Sequence, residues 1–214
     1  YFSSLELSVV DSVFESTSGI TTTGSTILNN IEQASSGLLI WRALLQWLGG
    51  VGIIVMAIAV LPMLSVGGMQ LFRTESFETA DKVIPRATQL AGGIFAIYTG
   101  LTILWTAMLA GAGMPSFDAL AHAMTTLATG GYSTKTSSVG AYDSHLIELI
   151  IIAGMIVGSL PFVHYLALAR GGWKGLWNDP QVKWFVVLMA AVITLITIDL
   201  NKDGHSWADA LSLS

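Results

Sequence analysis

Three stretches of this chain contain no Asp, Glu, Lys or Arg: Ala43 to Phe72, Ala87 to Phe117, and Leu149 to Ala169. A bilayer core about 30 Å thick is crossed by roughly 20 apolar helical residues, and each stretch is long enough to span it. Charged residues make up 11% of the chain, less than half of the roughly 25% usual in a soluble domain. These features exclude a soluble enzyme and predict an integral membrane protein. Cysteine is absent, which removes disulfide, thiolate and iron–sulfur chemistry. No basic cluster points to nucleic acid, so no nucleic-acid partner is expected. The chain opens at Tyr1 with no charged n-region leading into an apolar h-region, so no signal peptide is expected. With its abrupt stop at Ser214, it reads as a piece of a longer polypeptide.

Four spans are predicted, at about 38–64, 87–112, 146–169 and 182–198. The last is short between Lys183 and Asp199, with Lys183 placed to snorkel and Trp177 and Trp184 placed as interfacial anchors. Loops 65–86 and 170–183 hold six of the nine basic residues: Arg73, Lys82, Arg86, Arg170, Lys174 and Lys183. The positive-inside rule makes those loops cytoplasmic. Ten of the fourteen acids fall on the opposite side, either to concentrate cations around an entrance or simply because acids avoid the cytoplasmic loops.

The outer segments are not ordinary loops. Leu5–Gly24 and Phe117–Gly131 are moderately apolar, and each ends in Thr/Gly punctuation, Thr21-Thr22-Thr23-Gly24 and Ala128-Thr129-Gly130-Gly131. A short helix with an extended Gly-containing return is the pattern of a re-entrant pore loop. Such backbone is tolerated at membrane depth only when buried in protein or lining a water-filled cavity. The positions of Gly24 and Gly130 differ by 106, and the same offset carries 38–64 onto 144–170, close to the third span. Asp118-Ala119-Leu120 recurs as Asp209-Ala210-Leu211, the start of a third copy. The expected fold is therefore all-α, with helix–pore loop–helix units repeated around a pore. Its segments are 1–64 (pore helix, filter loop and span of repeat 1), cytoplasmic loop 65–86, repeat 2 over 87–170, cytoplasmic loop 171–183, and the start of repeat 3 over 184–214.

Backbone carbonyls turned to one axis can replace the water around a dehydrating alkali cation. Glycine reaches φ > 0 at little cost, which lets successive carbonyls face one way. Thr21, Thr22, Thr23 and Gly24, with Ala128, Thr129, Gly130 and Gly131, are the candidate cation-binding residues through their backbone oxygens, and φ > 0 is expected at Gly24 and Gly130.

The run Phe14-Glu15-Ser16-Thr17-Ser18-Gly19-Ile20-Thr21-Thr22-Thr23-Gly24 resembles the first pore loop of bacterial Trk-type potassium-uptake subunits, the TrkH/TrkG family. The resemblance continues through Leu45-Gln46-Trp47-Leu48-Gly49-Gly50-Val51-Gly52-Ile53-Ile54, Val66-Gly67-Gly68-Met69-Gln70-Leu71 and Ala128-Thr129-Gly130-Gly131-Tyr132-Ser133-Thr134. It implies potassium as the transported ion and four repeats in one chain in the bacterial inner membrane, each with one filter glycine. It also implies a homodimer with a cytoplasmic nucleotide-binding regulatory subunit of the TrkA type. About two of the four repeats are present, without the third and fourth pore loops. The competing class is a secondary transporter coupling potassium to sodium or protons; a structural membrane subunit is the third reading. Paired intramembrane acids, Gly-x-Ser-x-Gly and HExxH are all absent, so no enzyme is expected and no bound cofactor.

Other motifs read as structural. Asp199-Leu200-Asn201-Lys202-Asp203-Gly204 opens like a calcium loop, but Ala210 stands at the twelfth position and cannot ligate, leaving a polar turn. Gly49-Gly50-Val51-Gly52 lies inside a span and reads as close helix packing. His164 has no acid at i±3 or i±4 and reads as a hydrogen-bonded packing histidine rather than a proton relay. Pro161, with Gly154 and Gly158, should bend or break the third span, either for packing or to widen the inner pore. Arg42 is expected to pair with an acid of the pore-helix region, Glu15 being nearest by motif. The alternative is Glu148, which occupies the position equivalent to Arg42 when Gly130 is aligned with Gly24.

Overall fold

The computed structural model describes residues 7–64, 83–169 and 179–202. Outside them lie most of both basic loops, with Gly67 and Trp177, and the 203–214 segment carrying Asp209-Ala210-Leu211. The described residues are helices and loops in the order α1 (Val9–Ile20), α2 (Ser36–Leu64), α3 (Val83–Gly111), α4 (Ser116–Leu127), α5 (His145–Ser159), α6 (Phe162–Ala169) and α7 (Pro180–Lys202). Single 3-10 turns at Ile31–Gln33 and Ser138–Tyr142 precede α2 and α5. The chain divides into two compact units, Tyr1–Phe162 and Val163–Ser214.

Local chemistry sets the ends of α1. The Ser8 hydroxyl accepts from the Asp11 N–H at 3.1 Å while the Asp11 carboxylate accepts from the Ser8 N–H at 3.3 Å, a reciprocal capping box. Asp11 and its counterpart Asp118 both lie in a first helical turn, where a negative charge meets the positive end of the helix dipole.

Among the described residues Leu90–Gly111 of α3 and Pro180–Asp199 of α7 are each long and apolar enough to cross a membrane, and α5 with α6 counts as a third only if the interrupted pair is one span. The first predicted span lies in the continuous helix α2. The break in the third falls where proline and glycine place it: α5 stops at Ser159, Leu160 is extended, and α6 resumes after Pro161. The glycines of α5 serve packing. A Cβ on Gly154 would fall 2.4 Å from the Trp105 indole nitrogen, and one on Gly158 would fall 2.7 Å from the Leu127 carbonyl oxygen.

In the first unit α4 is the central element, packed by α2, α3 and α5, while α1 packs on α2. Ala43, Ala121 and Met124 form the α2–α4 seam with Ile40, Leu44 and Trp47 around it. Behind α2, the Trp47 indole donates to the Thr102 hydroxyl at 2.9 Å and its ring lies against Phe95 and Tyr98. That satisfies the indole N–H inside an apolar cluster.

In the second unit His164 shares a 2.7 Å hydrogen bond with Asp179. The acid absent at helical spacing is thus supplied from further along the chain, so His164 is a hydrogen-bonded histidine whose partner is an acid. Asp179 also accepts from the Gln181 N–H at the start of α7, and that bond holds its carboxyl below the usual range, with His164 adding to the effect. Asp199–Lys202 form the last turn of α7, so the polar turn expected there is helix up to Lys202. Asp203 and Gly204 lie outside the described residues.

Candidate functional site

The two short helices correspond end to end, Val9 with Ser116 and Ile20 with Leu127. The hydrogen bonds that end them repeat in the same register. Thr21 N–H donates to Thr17, Thr22 to Gly19 and Thr23 to Ser18; Ala128 N–H donates to Met124, Thr129 to Thr126 and Gly130 to Thr125. Backbone signs follow suit: φ is +55° at Thr22 and +79° at Gly24, and +54° at Thr129 and +79° at Gly131. The offset expected from the sequence is therefore short by one. In the second loop the glycine with positive φ is Gly131, not Gly130. The neighbouring glycines make both registers look alike in sequence, and only the backbone dihedrals separate them.

Two threonines in left-handed conformation, at equivalent places, are a repeated strain of roughly 1–2 kcal/mol each. Consecutive residues of opposite φ sign turn successive N–H groups to one side. Because C=O lies antiparallel to N–H in each planar trans peptide, the carbonyls of such a run turn together to the other side. Both loops also leave the C-terminal, negative end of a helix, the favourable sign for a cation.

The loops meet each other and are wedged by α2. A Cβ on Gly24 would fall 1.8 Å from the Gly130 carbonyl oxygen, so only glycine permits that approach. Gly49 faces the Ile20 carbonyl, where a Cβ would come within 2.0 Å, and Gly50 faces Ala128, with 3.2 Å to its Cα. These two glycines thus seat α2 on the last residue of α1 and on Ala128, the residue that follows α4, as close packing predicts. At Gly52 an added Cβ would meet nothing within 4 Å among the described residues.

Beyond each loop the chain is held by one device made from different residues. The Thr26 hydroxyl donates to Glu15 at 2.8 Å and accepts from the Leu28 N–H at 3.2 Å. In the second copy His122 bonds the Asp118 carbonyl through Nδ1 at 2.8 Å. A carbonyl only accepts, so Nδ1 carries the proton and Nε2 accepts from the Ser133 hydroxyl at 3.0 Å. Ser133 in turn accepts from the Lys135 N–H at 2.9 Å. Glu15 and His122 are counterparts, as are Thr26 and Ser133.

Arg42 joins the two copies. Its Nε donates to Glu15 at 2.8 Å, one terminal nitrogen donates to Thr26 at 3.0 Å, and the other donates to the Ser133 carbonyl at 3.4 Å. Its guanidinium carbon lies 4.0 Å from the Tyr132 ring centroid, a cation–π contact. Arg42 and Glu15 are both buried, their side chains 3% and 8% exposed. The expected pairing with Glu15 is present. The alternative falls with the register: the counterpart of Arg42 is Leu149, and Glu148 bonds His145 at the surface. Sequence reasoning missed Tyr132, whose hydroxyl donates to the Glu15 carbonyl at 2.9 Å. It also missed Glu32, which accepts from both the N–H and the hydroxyl of Thr136. The aromatic after Gly131 and the acid close after Asn30 were the available signals.

A cavity of about 250 Å³ lies beside the second loop, with Thr129, Gly130, Gly131 and His122 on its wall. Among the described residues no cluster of His, Cys, Asp or Glu is arranged to hold a metal ion.

The family model described as TrkH, cation transport protein, matches residues 1–200. The chain is 48% identical over 195 residues to the Trk system potassium uptake protein TrkI of Halomonas elongata, covering 90% of this chain and 39% of that protein. It is 38% identical over 197 residues to the Trk system potassium uptake protein TrkH of Escherichia coli K12, covering 91% and 41%. The crystal structure of the potassium transporter TrkH from Vibrio parahaemolyticus superposes with a TM-score of 0.83 at 35% identity, over 96% of this chain and 42% of that one. The chain thus spans about two fifths of the length of these relatives. With a matching family model over nearly its whole length and a fold shared with a solved relative, the chain belongs to the TrkH family of membrane cation transport proteins.

Proposed function

We propose that this chain supplies the first two filter loops, and the lead-in to a third, of a potassium-selective uptake pore in the bacterial inner membrane. Potassium is the cargo. It sheds water and is held by backbone oxygens of Thr21 to Gly24 and Ala128 to Gly131, rather than by side-chain charges. The observation that carries this reading is the matched backbone of the two loops, with positive φ at Thr22 and Gly24 and again at Thr129 and Gly131. Such strain persists where the surrounding structure over-determines it, and α2 does so here by packing on Ile20 at the end of α1 and on Ala128 at the start of the second loop. Potassium uptake by the relatives named above supports the choice of ion. At Gly131 an added Cβ would meet nothing within 4 Å among the described residues. The assembled protein works as a homodimer with a cytoplasmic nucleotide-binding subunit.

The test is uptake by the full-length protein in a potassium-dependent strain, with sodium as competitor. Gly24→Ser and Gly131→Ser should both erode potassium preference while membrane insertion persists. Each imposes a left-handed cost of about 1–2 kcal/mol, and about 1.4 kcal/mol is tenfold in an equilibrium constant. Gly24→Ser should be the more severe, because its Cβ also collides with the Gly130 carbonyl. Normal insertion with wild-type preference in both variants would refute the filter. Currents reversing with the potassium gradient fit a pore; a fixed ion ratio would instead indicate coupled transport with sodium or protons.

A further inference from the structure

The side chain of Gln46 is completely buried, yet among the described residues its amide nitrogen has no hydrogen-bond partner. The orientation of the amide is determined: Oε1 accepts from the Tyr132 N–H at 3.1 Å. Turning the amide over would set two donors against each other. Nε2 is therefore aimed the other way, at the junction of the two loops. It lies 3.7 Å from the position of a Gly24 Cβ, the same position that falls 1.8 Å from the Gly130 carbonyl oxygen. The plane of the amide lies against Gly130, where a Cβ would be 2.4 Å from the Gln46 amide carbon. One neutral side chain of α2 thus touches the second loop with its oxygen and its flat face, and points its donor at the seam with the first loop. Buried donors are almost always paired, and the acceptors at this seam are loop carbonyls.

We propose that Gln46 is a positioning residue for ion selectivity, setting the spacing between the first and second loops without touching the ion. This rests on the filter reading above. A carboxamide is suited to the task because it offers an acceptor to the Tyr132 N–H and a donor to the seam while adding no charge beside the cation path.

The experiment is potassium uptake with sodium competition by the full-length protein, comparing Gln46→Leu and Gln46→Glu with Gly24→Ser. Leu removes both polar ends. Glu keeps the acceptor for Tyr132 but turns a lone pair toward the carbonyls, which spreads the seam. Each should lower the ratio of potassium to sodium apparent affinity about tenfold or more, with maximal flux changed much less and membrane insertion retained. A merely structural role would lower the amount of inserted protein and leave the affinity ratio of the remainder unchanged. Wild-type preference in either well-inserted variant would overturn the proposal; if Gln46→Leu fails to insert, Gln46→Glu decides. Loss of preference in Gly24→Ser with none in the Gln46 variants would sink this inference alone. Unchanged preference in all three would sink the filter reading with it.

Discussion

Arg42→Met removes the guanidinium that spans the two copies while keeping an unbranched apolar stem. The wild-type side chain makes hydrogen bonds to Glu15, Thr26 and Ser133 and lies over Tyr132. Its loss leaves the Glu15 carboxylate buried, with the Thr26 hydroxyl and the Ile27 N–H as its remaining donors among the described residues. Breaking a buried pair by removing one partner costs about 3–5 kcal/mol, and the two remaining donors put Arg42→Met at the lower end, about 3 kcal/mol. Glu15→Leu alone strands the guanidinium and should cost a similar amount. The double variant removes both charges and should cost about 2 kcal/mol less than the sum, near the upper end of coupling between contacting residues. Pulse proteolysis of the detergent-solubilised full-length protein across a denaturant series measures all three. Hydrogen exchange should rise at Thr26 to Leu28 and at Ser133 to Lys135 together, since one side chain holds both. Stability of Arg42→Met within about 1 kcal/mol of wild type, or strict additivity in the double variant, would refute the brace.

Gly49→Ala should destabilise by about 1–3 kcal/mol, because its Cβ would meet the Ile20 carbonyl at 2.0 Å. Gly52→Ala in the same helix meets nothing within 4 Å and should stabilise by up to about 1 kcal/mol; equal signs in the same unfolding assay would refute the wedge. Glu32 is held at a pKa of about 2, chiefly by the hydroxyl and N–H of Thr136. A depressed carboxylate contributes fully above its ordinary value of 4.5, weakens below it and is lost as pH falls through about 2. Exchange protection of the Thr136 amide, corrected for intrinsic rate, should be level from pH 7 to 5 and decline only below about 4.5, and Glu32→Gln should abolish that decline. A fall between pH 7 and 5 would contradict it.

Membrane class, helical content and the repeated helix–loop–helix plan were legible in the chain because each rests on local chemistry. Charge-free runs as long as Ala43 to Phe72 and Ala87 to Phe117 have few soluble alternatives. Pro161 stands in the interior of the predicted third span, where proline removes a backbone donor and clashes with the preceding turn, and Ser8 with Asp11 caps a helix without outside help. The pairing of Arg42 with Glu15 was legible for a related reason: a buried guanidinium requires an acid, and few acids were within reach. The register between the repeats was not. Gly130 and Gly131 are chemically identical neighbours, and the sign of φ that distinguishes them is imposed by packing. Gln46, Tyr132 and the carbonyl of Ser133 belong together only because α2 is seated by Gly49 and Gly50 on the ends of both short helices. His164 likewise finds its acid at Asp179, beyond any helical spacing. Spacing along a helix constrains only neighbours at i±3 and i±4. Which distant side chains meet is set by how the helices pack, and only the tertiary structure decides that.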